Sequence, residues 1–205
     1  MSEEVYLRQS RVRDLVLPAS IAVVGCGGIG SWVGFISAMS GVKRFSLFDS
    51  DTLERHNLNR LPYKETDVGK NKAKLLAELI LSYRPSVEVL CYPNLDNAII
   101  INKELPDVIY LCMDTPRQRL LLDRQLRDSG HRVVNLMCEE NLVTILPTVE
   151  DVWFDTRAPG YDDPLAQWVV PQCLIASLGI AAVSLGIETR MSGFIQTIFE
   201  KMKDG

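Results

Sequence analysis

Apolar and polar positions along the chain follow two alternating periods. Short apolar runs rich in β-branched or aromatic residues, Ile21 to Val24, Arg44 to Phe48, Val87 to Tyr92, Val108 to Cys112, Val133 to Met137 and Leu142 to Leu146, have the length of strands. Between them lie segments with helical spacing: one ending at Ser40-Gly41, one from Gly69 to Ser82, a short one from Asp96 to Lys103 and one from Pro116 to Asp128. In the second of these the stripe is Ala73, Leu76, Ala77, Ile80 and Leu81, and Thr66-Asp67 is the expected cap. At the amino end, Val5, Val12, Leu15 and Val16 predict a further helix over Ser2 to Leu17, with Arg8, Arg11 and Arg13 on a solvated face. After the strands come a loop (Thr148 to Pro164), an uncharged segment (Val169 to Ile187), and a tail with Phe194, Ile195, Ile198, Phe199 and Met202 at helical spacing. Strands alternating with helices predict an α/β, Rossmann-like fold: a mostly parallel sheet with helices on both faces, extended by additional strands after the fifth and by a C-terminal helical segment. The expected organisation is one domain over 1–205, with a nucleotide-binding half at about 1–137 and a crossover loop, long helix and tail at about 138–205.

Composition narrows the class of partner. A net charge of −4 with no basic block gives no reason to expect DNA. The five cysteines, Cys26, Cys91, Cys112, Cys138 and Cys173, include no C-x-x-C pair, so no structural zinc is expected, and their scattered, odd number suits a reducing cytoplasm. No targeting segment is visible in the polar N-terminus. Val169 to Ile187 approaches the length of a membrane span, but Pro171 and Gln172 interrupt its start and Ser177, Gly179, Ser184 and Gly186 make it rich in small residues. A buried or dimer-interface helix is the expectation.

The chemistry gathers around one βαβ unit. Gly25-Cys26-Gly27-Gly28-Ile29-Gly30 is a G-x-G-x-x-G turn between a strand and a helix, where glycines let the backbone approach a phosphate or ribose and helix amides favour negative charge. Asp49 follows 19 residues beyond Gly30, where such folds place an acid for ribose hydroxyls. Asp51, Asn57, Arg60 and Lys64 lie just beyond strand ends, as does Asp114, which could equally cap the helix starting at Pro116. Lys70, Lys72 and Lys74 oppose the dipole of the helix they open, so a phosphate or plain solvation must account for them. Cations facing carboxylates beside a nucleotide turn suit a triphosphate with magnesium. The βαβ unit alone also allows a nicotinamide dinucleotide. No G-x-x-x-x-G-K-[ST] is present, and the two histidines, His56 and His131, read as loop or surface residues.

Ordered motifs carry the chain further. Tyr6-Leu7-Arg8-Gln9 matches YxRQ, Gly25 to Ser31 matches GxGGxGS, and Asp49-Ser50-Asp51 with Asn57-Leu58-Asn59-Arg60 matches DxD and NLxR. Asp67 to Ala73 matches DxGxxKA, and Cys112-Met113-Asp114 matches a strand-end Cys-x-Asp. Together they resemble the ThiF/MoeB family, the adenylyltransferase fold shared with ubiquitin-activating enzymes; the match is close over Tyr6 to Asp114 and weaker afterwards. The resemblance implies that the turn glycines Gly25, Gly27, Gly28 and Gly30 receive ATP, that Asp49 holds its ribose, and that Asn57, Arg60 and Lys72 grip its phosphates. It implies magnesium on Asp114, with Asp51 as helper, and Arg8 reaching the phosphates from the partner subunit of a homodimer. The implied reaction is attack by a carboxylate on the α-phosphate, giving an acyl-adenylate and pyrophosphate. The carboxylate would be the C-terminal glycine of a ubiquitin-like or sulfur-carrier protein, a small molecule or an RNA-linked group being the other choices. Two features depart from the family pattern. Leu61 stands where glutamine often follows NLxR, and the loop from Thr148 to Val170 lacks the acyl- or sulfur-accepting cysteine of many relatives, leaving Cys173 and Cys138 as displaced candidates for which a small buried thiol is the favoured reading. A non-catalytic ATP-binding subunit of an activating complex and a NAD-dependent oxidoreductase are the competing functions.

Overall fold

The computed structural model describes residues 3–93, 106–139, 142–146, 169–187 and 191–194. Seven strands form one sheet in the order β3-β2-β1-β4-β5-β6-β7. They are β1 (Ser20–Val24), β2 (Arg44–Phe48), β3 (Glu88–Tyr92), β4 (Val108–Leu111), β5 (Val133–Glu139), β6 (Leu142–Leu146) and β7 (Met191–Phe194). The first five are parallel, with Val24 level with Phe48 on one side and Leu111 on the other, and β6 and β7 add antiparallel pairs.

Every residue of β1 and β4 is buried, which explains their continuous apolar runs: a strand covered on both faces has no polar side to alternate with. On one face, Ile21, Val23, Phe45, Leu47, Val108, Tyr110, Val134 and Leu136 pack against α1 (Gly28–Ser40), α2 (Lys72–Tyr83) and α4 (Val169–Ser184). On the other, Ala22, Val24, Ile109, Leu111 and Val133 pack against Leu122 and Leu126 of α3 (Pro116–Asp128). Because β1 sits between β2 and β4, the chain leaves it in one direction for β2 and later returns on its far side to β4. A crevice opens at the carboxyl edge where such connections diverge.

α3 is fastened to β5 by charge rather than by apolar contact alone. Arg127 Nε donates to both carboxylate oxygens of Asp123 at 3.0 Å, its Nη2 to the Val133 carbonyl at 2.7 Å, and Asn135 Nδ2 to Asp123 Oδ1 at 2.7 Å. Arg119 Nη1 adds a bond to the Leu136 carbonyl at 2.9 Å.

α4 runs against α1, β5 and β6, and Gly179 meets Leu136 so closely that a Cβ there would lie 2.6 Å from Leu136 Cδ2. Gly179 therefore serves close packing. Among the described residues no helix is long and apolar enough to cross a membrane.

The structure corrects three expectations about elements. The N-terminal helix is instead two 3-10 turns, Glu3–Tyr6 and Gln9–Arg11. Val5, Val12 and Val16 stay 54%, 53% and 73% exposed, so the apolar stripe has no surface to bury against, and a lone helix of that length is marginal in water. α2 begins at Lys72 with Asn71, not Thr66-Asp67, as its N-cap: Asn71 Oδ1 accepts from Lys74 N at 3.1 Å. Phe194 ends strand β7 through pairing with Leu142, although its spacing suggested a helix. The rest of that tail, the helix expected over Asp96 to Lys103 and the loop from Thr148 to Pro164 lie outside the described residues.

Asp123→Ala should destabilise the fold by about 3 kcal/mol, since it leaves the Arg127 guanidinium and the Asn135 amide without their buried acceptor. Urea denaturation at neutral pH checks this; a loss under 1 kcal/mol would show that the network contributes little.

Candidate functional site

The site is built from the turn after β1, the loop after β2 and the end of β4. Gly25 sits at φ +88, in the left-handed region, and its N–H donates to the Phe48 carbonyl at 2.8 Å. A Cβ there would lie 2.8 Å from the Met113 backbone nitrogen, so only glycine lets β1 turn beneath β4. At Gly30 a Cβ would meet the Gly25 carbonyl oxygen at 1.8 Å, and at Gly28 it would meet Gln172 Oε1 at 1.6 Å. Gly25 and Gly30, which meet backbone atoms, are needed for packing within the protein, whereas Gly28 meets the movable end of a side chain. Gly27 differs: among the described residues nothing lies within 4 Å of its Cβ position, which leaves open space above the N-terminus of α1.

Asp49 ties this turn to the next loop. It is 6% exposed, its Oδ2 accepts from Cys26 N at 2.6 Å, and its Oδ1 accepts from Asp51 N at 2.8 Å. Burial raises its carboxyl above the usual value, while the Asp51 N–H, the Lys72 ammonium and the Cys26 N–H oppose that rise. Asn71 Nδ2 binds the Asp49 and Asp51 carbonyls at 2.8 and 3.2 Å, so the cap of α2 also fixes the acidic strand end. Lys72 pairs with Asp51 at 2.9 Å and Lys70 with Asp67 at 2.8 Å, which supplies the carboxylate partners that these lysines need at a helix start.

The loop from Thr52 onward is held by a small core of Leu53, Leu61 and Leu75, with Leu58 and Tyr63 against it. Leu61 thus has a packing role at the position where the family often has glutamine. Asn57 is 5% exposed and its Oδ1 accepts from Glu54 N at 3.1 Å, closing a capping box on a 3-10 turn. Arg60 is anchored at its carbonyl by Trp32 Nε1, 3.0 Å away, and at Nη1 by the His56 carbonyl and Asn59 Oδ1 at 3.2 and 3.0 Å. Its buried Nε has no partner among the described residues. Burial pulls the guanidinium below its usual value, and the Asp114 carboxylate nearby opposes this. Asp114 is exposed at the end of β4, and Thr115, not Asp114, occupies the N-cap of α3.

The structure therefore brings together the glycine turn, Asp49, Asp51, Asn57, Arg60, Lys72 and Asp114 at one sheet edge. It does not bring Arg8 there: Gln9, its neighbour, bonds the Ser40 carbonyl at the far end of α1. Cys173 is half-buried on the first turns of α4, next to the Gln172 that abuts Gly28, and Cys138 lies on β5 against the core. Burial pushes the Cys112 thiol up to about 12 and that of Cys26 well above its usual value, which keeps both unreactive. Sequence reasoning overlooked Trp32, Tyr63, Asn71 and Gln172. Asn71 carried a signal, an asparagine directly before a helical run; the other three act through contacts between distant segments.

A parallel sheet with a glycine turn and an acid-and-cation cluster at its switch point is a Rossmann-like α/β domain. A model of the ThiF family matches residues 8–152, and the chain belongs to that family. It is 33% identical over 121 residues to adenylyltransferase and sulfurtransferase UBA4 of Kluyveromyces lactis, covering 57% of this chain and 27% of that protein. It is 35% identical over 82 residues to ubiquitin-like modifier-activating enzyme 5 of Oryza sativa subsp. japonica, covering 40% of this chain and 18% of the relative. The chain thus spans between about a fifth and about a quarter of the length of these curated relatives. Among solved structures, Escherichia coli MccB with ATP superposes with a TM-score of 0.72 at 20% identity, covering 89% of this chain and 62% of that one, a likeness of fold.

Gly27→Leu should keep wild-type stability yet abolish nucleotide binding by filling the open cradle, whereas Gly25→Ala and Gly30→Ala should each lower stability by about 2 kcal/mol or more. Denaturation curves beside ATP titrations separate the two classes. Unimpaired ATP binding by Gly27→Leu would place the nucleotide elsewhere.

Proposed function

We propose that this chain is an ATP-dependent adenylyltransferase domain that activates a carboxylate as an acyl-adenylate. The observation that carries the reading is the cradle itself: among the described residues, open space over Gly27, and beside it Arg60, whose buried Nε has no partner there and whose guanidinium feels the Asp114 carboxylate. A polar atom buried without a partner is costly, and a phosphate oxygen would satisfy it.

Each residue then has a task. Asp49 accepts the ribose hydroxyls, held in place by two backbone N–H bonds. Arg60 and Lys72 bind phosphate oxygens, and Asn57 contributes through its Nδ2 because its Oδ1 is engaged by the loop. Lys72 exchanges its bond to Asp51 for one to phosphate, which frees Asp51 to assist Asp114. The site has three carboxylates, Asp49, Asp51 and Asp114, and two cations of its own, Arg60 and Lys72. A strongly anionic triphosphate therefore needs a divalent counter-ion, and magnesium fits an exposed carboxylate plus phosphates because it keeps several waters and takes few protein ligands. Bound there, magnesium would offset charge on the phosphates. A substrate carboxylate oxygen attacks the α-phosphorus, and the bond from that phosphorus to the bridging oxygen breaks as pyrophosphate leaves.

The substrate we favour is the C-terminal glycine of a ubiquitin-like or sulfur-carrier protein, because the relatives named above include a ubiquitin-like modifier-activating enzyme and a sulfurtransferase. A homodimer completes the site, since Arg8 stands at the opposite end of α1 from its own cradle. The nicotinamide reading loses its ground with membership of the ThiF family.

ATP-pyrophosphate exchange should appear when a carrier ending in Gly-Gly is added with magnesium. Asp114→Ala and Lys72→Ala should each reduce it by about 100-fold or more, the usual cost of removing a group that stabilises developing charge. ATP binding without exchange under any carrier would favour a non-catalytic subunit, and near-normal exchange by Asp114→Ala would remove that residue from the mechanism.

A further inference from the structure

Arg60 is held to the protein through its backbone N–H, its carbonyl and its side chain, and one of these ties leads to α1. Its N–H donates to the Asn57 carbonyl at 3.1 Å. Its carbonyl accepts from Trp32 Nε1 at 3.0 Å, and Trp32 stands on α1, one turn beyond Gly28 and packed against the main core. Its side chain folds back on the loop, where Nη1 donates to the His56 carbonyl at 3.2 Å and to Asn59 Oδ1 at 3.0 Å.

A guanidinium offers paired, parallel N–H groups along its Nη1–Nη2 edge and along its Nε–Nη2 edge. Both Nη1 hydrogens are engaged by the loop, which closes the first edge. The second is left: among the described residues Nε is buried without a partner and Nη2 makes no hydrogen bond. Two parallel donors at that edge match two oxygens of one phosphate.

The direction of this edge depends on where the main chain of residue 60 stands. The small core of Leu53, Leu61 and Leu75 packs the loop on α2, which carries Leu75. Trp32 adds a hydrogen bond to α1, the helix that begins at the glycine turn beneath the open space over Gly27. Tryptophan suits this place because its apolar body packs on the core while its N–H reaches a polar partner. Phenylalanine would pack in the same way and leave the Arg60 carbonyl without its donor. We infer that Trp32 is a positioning residue for phosphate binding: its indole N–H holds the Arg60 main chain at a set distance from the glycine turn, so that the guanidinium presents its Nε–Nη2 edge to one phosphate of the nucleotide. The inference rests on the proposed ATP site and deepens it, because it adds a residue that acts through Arg60 and names the edge of Arg60 that binds.

The test uses ATP with magnesium as probe, titrated calorimetrically into the full chain. Trp32→benzothienylalanine puts sulfur in place of the indole N–H, so it keeps the shape of the side chain and removes only the donor. It should weaken ATP binding about tenfold, and Trp32→Phe should do at least as much, as for one misdirected charge-assisted contact. Arg60→Ala should weaken binding about tenfold or more, and Arg60→Lys, which keeps the charge without a paired edge, should lie within about threefold of it.

The Arg60→Ala background separates aim from support. That variant keeps the main-chain carbonyl, so a merely structural bond from Trp32 would matter as much there as in the wild type. If the indole acts by aiming the guanidinium, adding Trp32→benzothienylalanine to Arg60→Ala should change affinity by less than about twofold. Equal losses in the two backgrounds would overturn the inference. Wild-type affinity in Trp32→benzothienylalanine beside weak binding by Arg60→Ala would overturn it too and leave the ATP site standing. Wild-type affinity in Arg60→Lys would overturn the paired edge. Wild-type affinity in Arg60→Ala would remove Arg60 from the ATP site, and the role of Trp32 with it.

Discussion

Asp49 is the constraint on which the carboxyl edge of the sheet depends. Two backbone N–H groups from different segments, one in the glycine turn and one in the following loop, end on its carboxylate. Without it the Cys26 N–H would be a buried donor in need of an acceptor, and the turn after β1 and the path after β2 would lose their common anchor. Asn71 closes the same region from α2 by binding two carbonyls of the acidic strand end. The cradle is thus preformed by hydrogen bonds that the protein makes with itself, and its open volume is what remains once the glycines have been packed.

Charge in this cradle is arranged in reserve. Lys72 rests on Asp51, Lys70 on Asp67, and Arg60 lies within the field of Asp114 with one buried nitrogen unmatched among the described residues. Such pairs keep the cations oriented and the helix start tolerable in the absence of ligand. The Lys72–Asp51 pair is also easily broken, since Asp51 is largely exposed and loses little when its partner turns away.

α1 links the cradle end of the sheet to the N-terminal segment. Its N-terminus faces the cradle, where Gly28 abuts Gln172 of α4, and its C-terminus carries the grip of Tyr6 and Gln9. The long crossover helix and the N-terminal segment therefore both take their positions from one element.

Much of this was legible in the sequence because the determining forces are local. Continuous apolar runs marked β1 and β4 as covered on both faces, proline at the first helical position marked α3 over its observed bounds, and the spacing of the glycine turn, Asp49, Arg60, Lys72 and Asp114 marked one sheet edge. Tertiary structure decided what depends on surfaces meeting. The N-terminal stripe of Val5, Val12 and Val16 has helical spacing but finds nothing to pack on, so it is not a helix. Phe194 has helical spacing too and becomes a strand because β6 offers an edge. Trp32, Tyr63 and Gln172 join the site through contacts between segments distant in the chain, which no local pattern encodes. By itself the sequence determined the fold class and the chemical groups at its edge; only the folded chain decided that Arg8 lies a full helix length from its own cradle, because that distance is set by the packing of Tyr6 and Gln9 on the end of α1.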